Sequence, residues 1–371
     1  KLDGTKFENT TNKITTAADD VRKGLIGILT PNQPKAGQST QPRQIESIVD
    51  DRFAVLRSYV RSPGPNLPAE VEKTVQLLSE LNTHLNAVQV AVASGAALPQ
   101  SDVPNKVKTE AARLGEPMRS AISGLVTSGI TESHGQMRAM MGANLQAQVG
   151  DFCAQAIAGR YPLNRSSTRE ATPDDFARMF KPGGLMDDFF QKNLIQYVDT
   201  STTPWKFRDV GGAKMGDQGE ASAALMQFQR AAAIKDTFFR NGGATPSLRV
   251  DFKPVEMDKD ITQFILDVDG TPIKYAHGPQ TPQNVIWPGS GGRSRSQVQV
   301  TPNVGGLAFE GPWALFRMFD KMQLESLGQP ERFKGTFNIE GRKIVFEITT
   351  SSIQNPFRLP EMSAFACPGK L

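Results

Sequence analysis

Near residue 245 the spacing between apolar residues drops from three or four to two, and no single regular element satisfies both periods. Upstream, Val71, Val75, Leu78, Leu81, Leu85, Val88 and Val92 recur at helical spacing. Downstream, Leu248, Val250 and Phe252 alternate with Arg249, Asp251 and Lys253, as the two sides of a half-buried strand do. The expected fold class is therefore α+β and multidomain, with an all-α helical domain followed by a C-terminal antiparallel β-sandwich. Expected boundaries are 1–44 for an N-terminal helix and polar linker, 45–244 for the helical domain, and 245–371 for the sandwich with a short helix (312–322) and a C-terminal tail.

Helix boundaries follow from residues that cannot continue a helix. "TPNQPKAGQSTQP" reads as a linker after a helix near Ala17 to Leu29. Ile45, Ile48, Val49, Phe53, Leu56 and Val60 share one face until "SPGPN" stops it. Asn66 caps the next helix, Pro68 sits in its first turn and Gly95 ends it. A third starts at Ser101 with Val107, Ala111, Leu114, Met118, Ile122 and Leu125 inward, and Pro117 is expected to kink it. A fourth, Thr131 to Ala158, turns Met137, Met141, Leu145, Val149 and Phe152 inward; the methionines read as core filler. Thr172, Pro173, Asp174 and Asp175 form the start of another helix: a hydroxyl cap, a proline, then carboxylates at the positive dipole end. "KPGG" ends it, "LMDDFFQKNLIQYV" starts one more, and the last, Glu220 to Arg240, puts Leu225, Phe228, Ala232 and Phe239 inside.

In the C-terminal part, Asp269-Gly270 and Glu340-Gly341 are the turns of two hairpins. Short strands are expected around Val285 to Trp287, Val298 to Val300 and Leu307 to Phe309. "GPWALFRMFDKM" interrupts them as an amphipathic helix whose Trp313, Phe316 and Phe319 close an open end of the sandwich. The loops "HGPQTPQN" (277–284) and "WPGSGGRSRSQ" (287–297) are longer than strand connections need, which points to recognition. The candidate partner-binding residues are His277, Gln280, Gln283, Asn284, Arg293 and Arg295.

The residues argue against catalysis. Asp174/Asp175 and Asp187/Asp188 are paired acids, but each pair sits at a helix start that explains it. Gly183 and Gly184 suit a helix stop better than a phosphate cradle, since no strand precedes them. His84, His134 and His277 lie at no metal-ligand spacing, and neither Cys153 nor Cys367 belongs to a Cys-x-x-Cys pair. The two cysteines read either as buried thiols or as one disulfide, which requires an oxidising compartment. Net charge is +4 from 42 basic and 38 acidic residues, interspersed, and "GGRSRSQ" lacks flanking aromatics, so a nucleic-acid partner is not expected. With a mean hydropathy of −0.36, and "AVQVAVASGAALP" too short against the about eighteen residues a span requires, the chain reads as soluble and globular. Lys1 in place of an initiator Met suggests a piece of something longer.

Five motifs in order carry a resemblance: "GRYPLNRSSTREATPDDFARMFKPGGLMDDFF", "TTPW", "AAAIKDTFF", "WPG" and "NPFRLPEMSAFACPGKL". Together they resemble the periplasmic C-terminal region of the TssM (IcmF-like) proteins of type VI secretion, from about Ile45 to Leu371. Leu163 stands where the family usually has Phe. The resemblance implies a non-enzymatic scaffold without cofactors. That scaffold would be a structural component of the trans-envelope membrane complex, linking the inner membrane to the outer-membrane lipoprotein TssJ through the sandwich. TssL and further TssM copies would be its other partners in the full-length protein, whose transmembrane and cytoplasmic parts lie outside this sequence. In the motifs, Arg160, Tyr161, Pro162, Trp205, Trp287 and Trp313 would be structural, and a periplasmic location would permit a Cys153–Cys367 disulfide. The rival reading is a peptidoglycan-binding or wall-active module; no Ser, Cys or metal nucleophile system supports it.

Overall fold

The structure, a computed structural model, describes residues 54–62, 64, 69–94, 99, 101–210, 213–214, 220–240, 242–290, 294–302, 305–369 and 371. The expected helix near Ala17 to Leu29, the whole 1–44 segment and the stripe residues Ile45 to Phe53 lie outside the described residues. Helices come first and antiparallel sheets second, as the change of period requires.

Two compact units result: Lys1–Met141 with Phe207–Gly216, and Gly142–Lys206 with Asp217–Leu371. The first contains α1 (Ala54–Val60), α2 (Glu70–Ser94), α3 (Val103–Arg113) and most of α4 (Met118–Leu145). Its core is Tyr59, Val71, Leu78, Leu81, Leu85, Val107, Ala111, Leu114, Ile122, Val126 and Ile130. Pro117 does not kink a helix. The chain leaves α3 at Leu114, whose backbone is extended, and Pro117 stands just ahead of α4, where its missing N–H costs no helical hydrogen bond. The expected break between residues 125 and 131 is absent because buried Val126 and Ile130 carry the stripe of Ile122 onward at four-residue intervals.

In the second unit a π-turn (Gln146–Gly150) leads into α5 (Asp151–Ala156), followed by α6 (Pro173–Phe180), α7 (Leu185–Phe189) and α8 (Glu220–Phe238). Thr172 caps α6, its hydroxyl accepting from the Asp175 N–H at 3.0 Å. The sandwich strands are β1 (Leu248–Met257), β2 (Gln263–Val268), β3 (Thr271–Tyr275), β4 (Gln283–Trp287), β5 (Arg295–Thr301), β6 (Gly306–Glu310), β7 (Gln323–Gln329), β8 (Arg332–Ile339) and β9 (Arg342–Thr350). They form a four-stranded sheet, β6-β5-β2-β3, and a five-stranded sheet, β7-β8-β9-β1-β4. Phe264 of the first meets Phe337 and Phe346 of the second at ring distances of 5.5 and 5.2 Å. Both predicted hairpin turns form with positive φ at each central residue, 50° and 91° at Asp269-Gly270 and 50° and 88° at Glu340-Gly341. Strand β7 has no counterpart in the sequence reading. It is an edge strand exposed along nearly its whole length, so neither face imposes an apolar alternation.

The helix expected at 312–322 is α9 (Ala314–Asp320), and a last helix, α10 (Pro360–Ala364), leads into the tail. The rings of α9 do more than close the sandwich. Trp313 lies 4.9 Å from Trp287 of β4 and 5.0 Å from Phe176 of α6, while Phe316 lies 5.8 Å from Phe238 of α8. Phe319 stacks on Phe357 at 3.6 Å and meets Phe252 of β1 at 6.0 Å. Helices α6 and α8 thus share a core with the sandwich. The compact units divide inside α4, so that the segment expected at 45–244 contributes residues to both of them.

Trp313→Ala is expected to destabilise the second unit by about 3–5 kcal/mol, since it empties the centre of this cluster. Urea unfolding monitored by tryptophan fluorescence measures it; a loss under about 1 kcal/mol would contradict the cluster's role.

Candidate functional site

The stretch 159–171 folds as a loop closed on itself, with the Tyr161 N–H donating to the Arg169 carbonyl and the Ala171 N–H to the Tyr161 carbonyl, both at 2.8 Å. Each motif residue in it has a structural partner. Arg160 donates to the carbonyls of Gln155 at 2.9 Å and Glu170 at 3.4 Å, and Pro162 is buried. The Tyr161 hydroxyl donates to Asp320 at 2.8 Å, and burial together with that carboxylate pushes its pKa well above the ordinary phenol value. Asp320 also accepts from Arg165 and, at 3.0 Å, from Arg358. Arg317 lies over the Tyr161 ring at 4.0 Å and donates to Glu170 at 2.6 Å. Gly311 is required here: its φ is +99°, and a Cβ would stand 2.5 Å from Glu170. Trp313 donates to the Ala171 carbonyl at 2.6 Å and Trp287 to the Pro312 carbonyl at 3.0 Å. Every acid and base of this network faces a partner inside it, which is the arrangement of a fastener.

A separate ion pair joins α7 to α8, Lys235 donating to Asp187 at 2.8 Å beside Trp205, Phe190 and Phe228. Burial acts to raise the Asp187 pKa, but the Gly183 N–H and the Lys235 ammonium outweigh it and hold the carboxyl below its ordinary value. The half-buried Trp205 ring lies 5.0 Å from Phe190, and its backbone N–H donates to Gln229. Among the described residues no group of three or more His, Cys, Asp or Glu could hold a metal ion.

The two long sandwich loops lie at opposite ends of β4. At one end, the His277 imidazole Nε2 donates to the Ile261 carbonyl at 2.6 Å, which fixes a protonated Nε2 because a carbonyl only accepts. Gln280 donates to the Val255 carbonyl at 2.8 Å. Gln283 and Asn284, read as loop residues, belong to β4. The Gln283 amide imitates a strand partner, accepting from the Lys274 N–H at 3.1 Å and donating to its carbonyl at 2.7 Å, and so joins the two sheets. At the other end Asp269 organises the loop. Its carboxylate accepts from the N–H groups of Gly289 at 2.9 Å and Arg295 at 2.8 Å, and a Cβ at Gly289 would stand 2.4 Å from its own Cβ. Arg295 opens β5 with an exposed side chain, and Arg293 lies outside the described residues.

With β4 five residues long, the loops stand on the order of 13 Å apart along it and form no single patch. The end bearing Trp287 is the one packed on α6 and α8; the end bearing His277, with exposed Lys259, Asp260 and Thr281, is distal to them. Sequence reasoning took Asp269 only for a turn residue and missed Asp320, Glu170, Arg317 and Lys235, whose partners are far away in the chain.

Comparison with known proteins gives concordant matches. Residues 250–352 match the family described as the type VI secretion protein IcmF C2-like domain. The chain is 37% identical over 365 residues to TssM1, a type VI secretion system component of Pseudomonas aeruginosa PAO1; the match takes in 95% of this chain and 32% of that protein, about a third of its length. Among solved structures, the TssM C-terminal domain from EAEC aligns with a TM-score of 0.55 at 18% identity, over 63% of this chain and 98% of that one. A type VI secretion system membrane core complex aligns at 0.63 and 15% identity, over 95% of this chain and 77% of that chain. A type VI membrane complex aligns at 0.65 and 14% identity, over 95% and 74% respectively. The three structures share the fold, and the sequence matches bear out the resemblance carried by the motifs. Among the described residues no helix is long and apolar enough to cross a membrane.

Asp269→Ala strips the acceptor from two amides and is expected to cost on the order of 2 kcal/mol. Hydrogen exchange at Gly289 and Arg295 should rise, and unchanged protection there would rule the carboxylate out as organiser. Asp187→Asn tests the pair with Lys235. Because the folded-state pKa lies below the unfolded value of about 3.9, the pair's stabilisation is complete above that pH and is lost as pH falls through the folded value. The stability gap between wild type and variant should be present at neutral pH and close in acid; a gap constant with pH contradicts the assignment.

Proposed function

From a chain that is TssM-like over 95% of its length and carries an IcmF C2-like domain at residues 250–352, we propose a structural, non-enzymatic part of the type VI secretion membrane complex. In this reading the piece lies in the periplasm and its sandwich docks the outer-membrane lipoprotein TssJ, while TssL and further TssM copies meet the full-length protein. The observation that carries it is the division of the sandwich into two unlike ends. The Trp287 end is occupied by the aromatic contacts to α6 and α8. The distal end presents loops held in shape by their own hydrogen bonds, with His277 fixed to Ile261 and Gln280 to Val255, so that little ordering cost remains for binding.

Docking is assigned to the distal loops, and Arg295, at the other end, is left out of it. Calorimetry of the whole chain against the soluble domain of TssJ tests this. Lys259→Glu and Thr281→Arg should each weaken binding at least about tenfold, or about 1.4 kcal/mol, while Arg295→Glu should leave it within about threefold. Equal losses at both ends, or loss only at Arg295, would overturn the assignment.

A further inference from the structure

Cys153 and Cys367 form a disulfide between positions 214 residues apart, and their surroundings differ sharply. Cys153 is on α5 with no exposed surface. Cys367 is half-buried in the tail and lines an open cleft of about 590 Å³ with Ile157, Leu163, Arg165 and Phe365; Cys153 does not reach that cleft. The residues before Cys367 are strapped down independently of the sulfur. Phe365 packs edge-on against Phe180 at 5.0 Å, Arg230 donates to the Ala364 carbonyl at 2.6 Å, and the Ala366 N–H donates to Gln227 at 2.9 Å.

We infer that Cys367 is a site of attack on an oxidised dithiol oxidoreductase of the Cys-x-x-Cys class, and that Cys153 only resolves the intermediate. In the first step the Cys367 thiolate attacks one sulfur of the oxidoreductase disulfide. That bond breaks, a mixed disulfide forms, and the displaced oxidoreductase thiolate takes up a proton. In the second step the Cys153 thiolate attacks Cys367 Sγ, forming the internal bond and expelling the other oxidoreductase thiolate. Two thiols of this chain have then lost two protons and two electrons, and the oxidoreductase disulfide has become a dithiol. The order follows from access: a buried thiol cannot reach an external disulfide, whereas the cleft opens Cys367 to one. The strap makes the second step local, because Phe365 and its neighbours hold the tail over Cys153 before any bond exists. The biological setting rests on the periplasmic reading above, but the chemistry is tested in vitro and does not depend on it.

The test uses the full chain, reduced and folded, with a purified oxidised Cys-x-x-Cys oxidoreductase, and follows the mixed disulfide on non-reducing gels. Cys153→Ser should trap the oxidoreductase at least tenfold faster than Cys367→Ser, and urea should abolish the difference. Reduced wild type, pulsed with iodoacetamide under native conditions and mapped by mass spectrometry, gives a readout free of variants: Cys367 should be alkylated first. Gln227→Ala, which removes the acceptor of the Ala366 N–H from outside the cleft, should keep the rate of the first step and slow closure of the internal bond, and unchanged closure would count against the strap. Equal trapping by the two folded variants, trapping by neither, or prior alkylation of Cys153 overturns the inference.

Discussion

The Trp313 side chain is fixed by its indole N–H on the Ala171 carbonyl and by rings from α6, α8, α9 and β4 on its faces. Helices α6, α8 and α9 and strand β4 meet at that contact. Aromatic packing supplies non-directional burial plus a preference for tilted ring pairs, so it can join a helix layer to the end of a sandwich without strand pairing between them. Polar contacts then tie the 159–171 loop and the C-terminal segment to α9: Asp320 with Arg165, Arg358 and Tyr161, and Arg317 with Glu170. Half-exposed ion pairs add little net stability, and their worth here is directional, since Arg165–Asp320 and Glu170–Arg317 require the loop and α9 to meet in one register. This is why the most motif-like stretch of the chain, which looks like a place for chemistry, is a joint.

Local physics was legible in the sequence. The period change, the cap at Thr172 and the Asp269-Gly270 and Glu340-Gly341 turns depend on neighbours within a few residues, and all appear where the residues place them. What could not be read depends on distant partners. Strand β7 exists because β8 offers it a ladder, although its two apolar residues, Leu324 and Leu327, stand three apart and give no strand alternation. The continuity of α4 rests on Val126 and Ile130 finding a core, which outweighs the helix-weakening Ser128 and Gly129 beside them. Likewise, Gln283 is indistinguishable in sequence from a loop glutamine; only the register of β4 reveals that its amide bridges two sheets.

The loops show the same limit in functional form. Length marks both 277–284 and 287–297 as unusual, but length is silent on which end of a strand a loop occupies. Antiparallel register supplies that information. Pairing of Leu248 with Trp287 and of Phe252 with Gln283 sets one loop beside the helices and the other away from them. An interaction surface therefore has to be sought among the neighbours of one loop, such as the turn holding Lys259 and Asp260, and not across the pair.

The tail has a mechanical consequence. With Cys153 bonded to Cys367, tension applied between Gly142 and the C-terminal tail passes through the first dozen residues of the unit, across the sulfurs and out. All of the intervening chain, the aromatic cluster and both sheets included, hangs beside that line of force as an unloaded loop. A component of an assembly under strain could be stretched along its backbone while its sandwich keeps its shape, the load being carried by a covalent bond in place of a strand ladder.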